Sequence, residues 1–308
     1  MRVVVVSSCD VVDRYLIGRL RARWPDLQVV RPVTARARPG RVEVLGVVAR
    51  APVTSLRRAF YLRRRRRTER RLAVLLPGVV ARRDLAATRV DGAHLNQASG
   101  VASVAALLPD VLVLSGAPIL RDDLLAVPTI GTVNVHLGVA PAYRGEHTLF
   151  HALRRRDADG IGVTLHGVDR GIDTGPLLAH VLPAIRPADD EAVLTARCVE
   201  LVAGVLVDCL EVVERTGRLA GRPQDDRGTL YRRHDRRVVR HDLREFVDRR
   251  LLGRRLAGRP SRIVRYDLPA VAQQDPADGG GRGPGRTVRV SGPAGAGQPS
   301  LPGSLDRP

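Results

Sequence analysis

The sequence predicts an α/β protein built on an open, mostly parallel, Rossmann-like sheet. Short, continuous apolar runs such as Val3–Val6 and Val111–Leu114 have the length of strands buried on both faces. They alternate with longer stretches whose apolar residues recur at helical spacing, the order of elements that gives a parallel sheet covered by helices. The polar residues that interrupt these strands cluster at strand ends, and such sheets bind ligands at the carboxyl edge of their strands.

The elements follow in order. Val3–Val6 is the first strand, Val11 to Trp24 a helix and Leu27 to Val33 a second strand. The segment from Pro39 to Val53 is ambiguous, with strand character in Val42 to Val48. A very basic helix spans Leu56 to Leu72 and contains the run Arg63 to Arg67. A short helix at Val101 to Leu107 precedes the strand Val111 to Leu114. The strand Val133 to Leu137 is followed by a helix from Glu146 to Arg156, and further strands fall at Gly162 to His166 and Leu177 to Leu182. Asp189 to Thr216 forms a long helix with an apolar stripe through Val193, Leu194, Val199, Leu201, Val205 and Leu210.

Composition shifts after this helix, which sets the expected domains: a catalytic domain over 1–215, a basic, mainly helical extension over 216–268, and a disordered tail over 269–308. The extension carries Leu243, Phe246, Val247, Leu251 and Leu252 at helical spacing among arginines, and the tail is rich in Gly and Pro.

A chain of 308 residues with 44% hydrophobic residues can bury a sizeable core, which excludes a disordered protein. Aromatics are only 3%, so that core rests on Val, Leu, Ala and Ile. The net charge is +19, and every basic residue other than histidine is Arg. Nucleic acid, anionic cosubstrates and acidic membrane surfaces are the partner classes such charge favours. Cys9, Cys198 and Cys209 lack metal-ligand spacing and read as buried reduced thiols. No apolar run has the length of a signal peptide or a membrane span, so a cytoplasmic protein is expected.

The chemistry is concentrated in two strands and the loops that leave them. In Thr132–Val133–Asn134–Val135–His136–Leu137, alternation puts Val133, Val135 and Leu137 on one face and Asn134 and His136 on the other. The strand ends at Gly138 and enters the loop Pro141–Ala142–Tyr143–Arg144–Gly145. Downstream, a strand ending at His166 runs into Gly167–Val168–Asp169–Arg170–Gly171–Ile172–Asp173–Thr174–Gly175. If the two strands are neighbours, Asn134, His136 and Asp173 converge. An amide, an imidazole and a carboxylate can stabilise an oxyanion and move a proton, the requirements of acyl transfer. His147 and His151 have i,i+4 spacing, but no zinc-protease carboxylate accompanies them and no metal is expected.

As a set, Asn134-x-His136, Pro141-x-Tyr143–Arg144–Gly145, Gly162–Val163–Thr164-x-His166 and Asp169-x-Gly171-x-Asp173-x-Gly175 resemble the 10-formyltetrahydrofolate-dependent formyltransferases, over roughly residues 1 to 215. The resemblance implies the open α/β sheet of the formyltransferase type and a formyl transfer to an amine. It implies that Asn134 and His136 hold the formyl oxygen as it becomes an oxyanion, and that Asp173 supports His136 and helps move the proton of the attacking amine. It further implies that Gly116, Ala117, Ile119 and Leu120 line one side of a pterin pocket and Val168, Asp169, Gly171 and Ile172 the other. Tyr143, Arg144, Gly145 and His166 fall to substrate binding; Arg144 either meets the folate glutamate or an acceptor phosphate, or is a solvated turn arginine.

Three departures bear on the acceptor. The family's Ser-Leu-Leu-Pro is Gly138–Val139–Ala140–Pro141 here. The turn after the first strand, Ser7–Ser8–Cys9–Asp10–Val11, has no glycine and carries an acid, which disfavours a phosphate cradle and hence glycinamide ribonucleotide. The extension is too short and too helical in pattern for the β-barrel domain of tRNA-specific members. A small amine, such as an amino sugar on a nucleotide carrier, is the expected acceptor. Methionyl-tRNA formylation, formyltetrahydrofolate hydrolysis and a non-catalytic basic nucleic-acid-binding protein are the alternatives. The Arg63–Arg71 run reads either as a solvated helix face or as an RNA or phosphate contact.

Overall fold

The computed structural model describes residues 1–33, 52–225, 228–235, 256 and 258–266. The expected strand over 42–48, the helical pattern over 236–255 and the tail from 269 lie outside them.

In chain order the described elements are β1 (Val3–Ser7), α1 (Val11–Arg23), β2 (Gln28–Val33), α2 (Pro52–Leu75), β3 (Thr88–Asp91), α3 (Ala98–Ala105), β4 (Val111–Ser115), α4 (Asp122–Leu125), β5 (Gly131–His136), β6 (Tyr143–Gly145), α5 (Thr148–Arg155), β7 (Val163–Gly167), β8 (Leu177–Leu182), α6 (Glu191–Thr216), β9 (Thr229–Tyr231) and β10 (Arg262–Arg265). Eight strands form one sheet in the order β10-β8-β7-β5-β4-β1-β2-β3. The half from β5 to β3 is parallel, whereas the pairs β5–β7, β7–β8 and β8–β10 are antiparallel. The open, mostly parallel sheet expected from the apolar runs is therefore present.

Alternation along each strand divides the core between the two faces. Val3, Val5, Val111, Val113, Val133 and Val135 pack under α1 and α6, while Val4, Val6, Leu112 and Leu114 pack with Leu95, Val104, Leu120 and Leu124 on the other side. The apolar stripe of α6 is buried through Leu194, Val199, Val205 and Leu210. Its N-terminus is capped by Asp190, whose side chain accepts from Ala192 and Val193 and also pairs with Arg71 at 2.6 Å. One arginine of the basic run thus ties α2 to α6; Arg63, Arg65, Arg66, Arg67 and Arg70 are exposed.

The described residues of the extension include two short strands, a 3-10 turn at Arg233–Asp235 and helical Leu256. β10 completes the sheet by pairing antiparallel with β8, and β9 pairs parallel with β6. The backbone amides and carbonyls that β8 and β6 would otherwise leave open are what these segments satisfy. His147 stands at the N-cap of α5 with φ +57, and His151 stacks on Tyr231, ring centres 4.1 Å apart.

Candidate active site

The site forms where β5 lies beside β7. Their antiparallel register pairs Asn134 with His166 and His136 with Thr164. Val133 and Val135 face α6, so Asn134, His136, Thr164 and His166 share the opposite face. Thr164 is buried and latches the loop that follows β5, donating to the Gly138 carbonyl (2.7 Å) and accepting from the Ala140 amide (2.9 Å).

Asp173 arrives from the loop that joins β7 to β8. This loop is closed at its base, where the Gly167 amide donates to the Pro176 carbonyl. It is cinched inside by Asp169, whose Oδ1 accepts from the Gly171 amide and the Thr174 hydroxyl. Asp173 itself adopts φ +53, the left-handed region that a side chain disfavours. The turn aims its carboxylate at β5: Oδ2 accepts the Gly145 amide at 2.7 Å and lies 3.3 Å from His136 Nδ1. Oδ1 lies 3.2 Å from Asn134 Nδ2 and 3.4 Å from His166 Nε2.

The hydrogen-bond partners fix the tautomers. His136 Nε2 is 2.8 Å from the Tyr143 carbonyl, which can only accept, so Nε2 carries the proton. His166 Nδ1 donates in the same way to the Gly167 carbonyl at 2.6 Å. His166 Nε2 is then an acceptor and takes one hydrogen of the Asn134 amide at 3.1 Å; Asp173 takes the other. His136 Nδ1 and Asp173 Oδ2 consequently face each other as two acceptors, with a place for one proton between them.

Electrostatics keep that place vacant at neutral pH. Burial by itself raises the Asp173 carboxyl, but the His166 and His136 imidazoles and the Gly145 amide outweigh it and hold the group at about 2. Burial pushes His136 below the ordinary histidine value and His166 adds to this, while the Asp173 charge pulls the other way. The resting pair is an ionised carboxylate beside a neutral imidazole.

The remaining expected residues divide between the cleft and the frame. Ile119 on the β4–α4 loop and Ile172 on the β7–β8 loop are 65% and 38% exposed, each presenting a large apolar side chain. Leu120 is buried in the core, with Ala117 and Val168 packed against the same cluster. Gly116 takes φ +59 directly over Asp13 and Ser8, within 3.1 Å of where a Cβ would stand. The Tyr143 ring turns into a core cluster with Leu149, Ile161 and Tyr231, and its hydroxyl donates to Asp157; only its carbonyl reaches the site. The Arg144 guanidinium is buried and donates to the Ile172 carbonyl at 3.3 Å.

Three residues that sequence reasoning passed over complete the frame. Asn96 clamps the β4–α4 loop, donating to the Ile119 carbonyl and accepting the Arg121 amide. Asp13 is buried beneath Gly116 and accepts from the Ser8 and Ser115 hydroxyls. Gln224 reaches the Asp173 turn from beyond α6. Asn96 and Gln224 are single polar residues in loops with no motif around them; the signal for Asp13 is its spacing from Asp10, the two forming a capping box at the start of α1. Among the described residues no group of three or more His, Cys, Asp or Glu could hold a metal ion, and no helix is long and apolar enough to cross a membrane.

The elements and their sheet order are those of an α/β domain of the formyltransferase fold. In sequence, residues 77–210 match the formyl transferase family. The methionyl-tRNA formyltransferase of Paraburkholderia xenovorans LB400 is 34% identical over 135 residues, 44% of this chain and 41% of the relative. That of Roseiflexus sp. RS-1 is 38% identical over 132 residues, 42% of this chain and 40% of the relative. The chain spans about two fifths of the length of the curated relatives it matches. Among solved structures, a Mycobacterium tuberculosis protein suggested to be a sugar N-formyltransferase superposes with TM-score 0.51 at 18% identity, covering 88% of this chain and 98% of that one. A sugar N-formyltransferase from Shewanella sp. gives TM-score 0.50 at 13% identity, covering 88% and 99%. Identities this low speak for the fold alone.

Proposed function

We propose that this chain transfers a formyl group from 10-formyltetrahydrofolate to the primary amine of a small molecule, an amino sugar on a nucleotide carrier being the acceptor that fits its sequence best. The observation that carries this reading is the meeting of Asn134, His136 and Asp173, with the carboxylate 3.3 Å from an unprotonated imidazole nitrogen.

In the reaction, the amine nitrogen bonds to the formyl carbon, the bond from that carbon to N10 of the folate breaks, and the proton lost by the amine ends on N10. The vacant place between His136 Nδ1 and Asp173 Oδ2 suits the proton in transit, because an imidazolium beside a carboxylate is a stable way to hold it. Asn134 is the donor for the oxyanion that develops on the formyl oxygen. Both hydrogens of its amide are engaged at rest, so the formyl oxygen must displace the bond to Asp173 or to His166. The donor's planar ring has apolar faces to lie on: Ile119 on one loop and Ile172 on the other are exposed large hydrophobic side chains flanking the carboxyl edge of the sheet.

A screen with 10-formyltetrahydrofolate against amino-sugar nucleotides, glycinamide ribonucleotide and methionyl-tRNA tests the proposal. Formylation of an amino-sugar nucleotide supports it, and formate released without an acceptor identifies a hydrolase. The second reading, methionyl-tRNA, is favoured by the curated relatives and by the exposed arginines of α2. It predicts turnover with methionyl-tRNA whose apparent affinity falls steeply with salt. RNA binding without any formyl transfer would leave the non-catalytic alternative.

A further inference from the structure

We propose that Gln224, which lies past the stretch that matches the formyl transferase family, is a positioning residue for Asp173, its side-chain amide fixing the left-handed turn from which the carboxylate projects. The inference rests on the reading of Asp173 as the proton-handling carboxylate.

The Gln224 amide nitrogen donates to the Asp173 carbonyl at 3.1 Å and to the Gly175 carbonyl at 2.6 Å. Two hydrogens on one nitrogen thus meet two carbonyls on either side of Thr174, a fit that closes the turn from outside. The turn needs such a hold, because Asp173 sits at φ +53 with a Cβ. Other contacts act on different atoms. Arg144 takes the Ile172 carbonyl, Asp169 takes Thr174 and Gly171, and the Gly145 amide takes the carboxylate itself. The carbonyl of Asp173 reports its ψ angle, and among these contacts only the one from Gln224 restrains it.

Gln224 is in turn anchored on both sides to the elements that Asp173 touches. Before it, Arg222 and Leu177 exchange backbone hydrogen bonds of 2.7 and 2.9 Å, joining the segment to the start of β8. After it, Gly228 packs so closely on the Pro141 carbonyl that a Cβ would come within 1.9 Å. β9 then pairs with β6, the strand whose Gly145 amide holds the Asp173 carboxylate. The segment after α6 therefore grips both the turn that carries Asp173 and the strand that receives it.

The test uses the full chain and two variants. Gln224→Met keeps the length of the side chain without a donor, and Gln224→Asn keeps the donor on a shorter arm. The imidazole nitrogens of His136 and His166, 3.3 and 3.4 Å from Asp173, are read by 15N NMR, with exposed His94 as the reference. In Gln224→Met the His136 and His166 signals are expected to move while His94 stays, and Gln224→Asn to move them less. With an acceptor in hand, kcat of Gln224→Met is expected to fall about tenfold to a hundredfold with KM for 10-formyltetrahydrofolate within about twofold. Unmoved His136 and His166 signals in Gln224→Met overturn the proposal. Equal displacement by both variants with an equal loss in melting temperature also overturns it, since segment packing and not the donor would then be at work. If the wild type formylates no acceptor, the formyltransferase reading fails, and the NMR comparison still decides the role of Gln224.

Discussion

The Asn134 side-chain nitrogen lies 3.2 Å from Asp173 Oδ1 and 3.1 Å from His166 Nε2, so this amide donor is fully engaged before any substrate arrives. Asp173 is held from two sides, by this amide and by the Gly145 amide, with the His136 ring 3.3 Å away. A carboxylate held so closely is well placed to keep its charge and poorly placed to wander. The amide that must turn to meet an oxyanion starts from a defined position.

Replacing these groups one at a time should separate their roles. Asn134→Ala is expected to lower kcat by about 10²–10³, the usual loss for one oxyanion donor. His136→Ala and Asp173→Ala are expected to lower it by about 10²–10⁴, the range for a positioned acid–base group. None should unfold the protein, because the apolar face of β5 packs through Val133 and Val135. Steady-state kinetics beside thermal melting decides this. Near-normal turnover in both His136→Ala and Asp173→Ala would sink the assignment.

Much of this arrangement was legible in the sequence, for a physical reason. Period-two alternation in Val133–Asn134–Val135–His136 announces both a buried strand and a polar face. The glycine and aspartate spacing of 167–175 marks a tight loop able to aim a carboxylate. What escaped notice is long-range or short. Gln224 meets Asp173 across 51 residues of sequence, and a single glutamine carries no periodicity. β3 is four residues at the sheet edge with one buried side chain, Val90, too little apolar signal to stand out. Tyr143–Gly145 looks like a turn and becomes a strand only because β9 comes to pair with it.

Acid should weaken the fold through Asp173. Its carboxyl is held at about 2 in the folded chain against an ordinary 3.8. A depressed folded value contributes stability above the unfolded value, and that stability is lost as pH falls from about 4 to about 2. The contribution is about 2 kcal/mol. His136 acts in the same direction: its value is also depressed, by burial, so stability falls as pH drops below its unfolded value of 6.5. Urea titrations across this range should show a steeper acid loss in the wild type than in Asp173→Asn, and parallel curves would contradict it.

At the start of α1 the sign is reversed. Asp10 is raised to about 6, by burial first and then by the charge of Asp13. The two residues form a capping box, Asp10 accepting the Asp13 amide and Asp13 the Asp10 amide. A raised folded value stabilises below the unfolded pKa, and that benefit is lost as pH climbs through about 6. Asn caps a helix as well as Asp but carries no charge. Asp10→Asn should therefore be more stable than the wild type by about 1–3 kcal/mol at pH 8 and equal to it near pH 4. Chemical denaturation at the two pH values checks it; a stability difference that ignores pH would mean the charge is not the cause.

Gly175 offers a test of how far the Asp173 turn can yield. A Cβ on Gly175 would stand 2.0 Å from the Gly167 carbonyl and 2.7 Å from its carbon. Both atoms are backbone at the end of β7, where the Gly167 amide already bonds Pro176, so neither can retreat like the end of a side chain. Gly175→Ala must push the loop away from β7. The Gly175 carbonyl would then leave the Gln224 amide, and Asp173, two residues back, would lose its register against His136 and Gly145. The substitution is expected to cost about 1–3 kcal/mol in stability, as overpacking does. It should lower turnover far more than that loss explains at a temperature where the variant is fully folded. Thermal melting and kinetics on the same preparation decide it: a folded Gly175→Ala with wild-type kcat would show that the turn is free to move without consequence for Asp173.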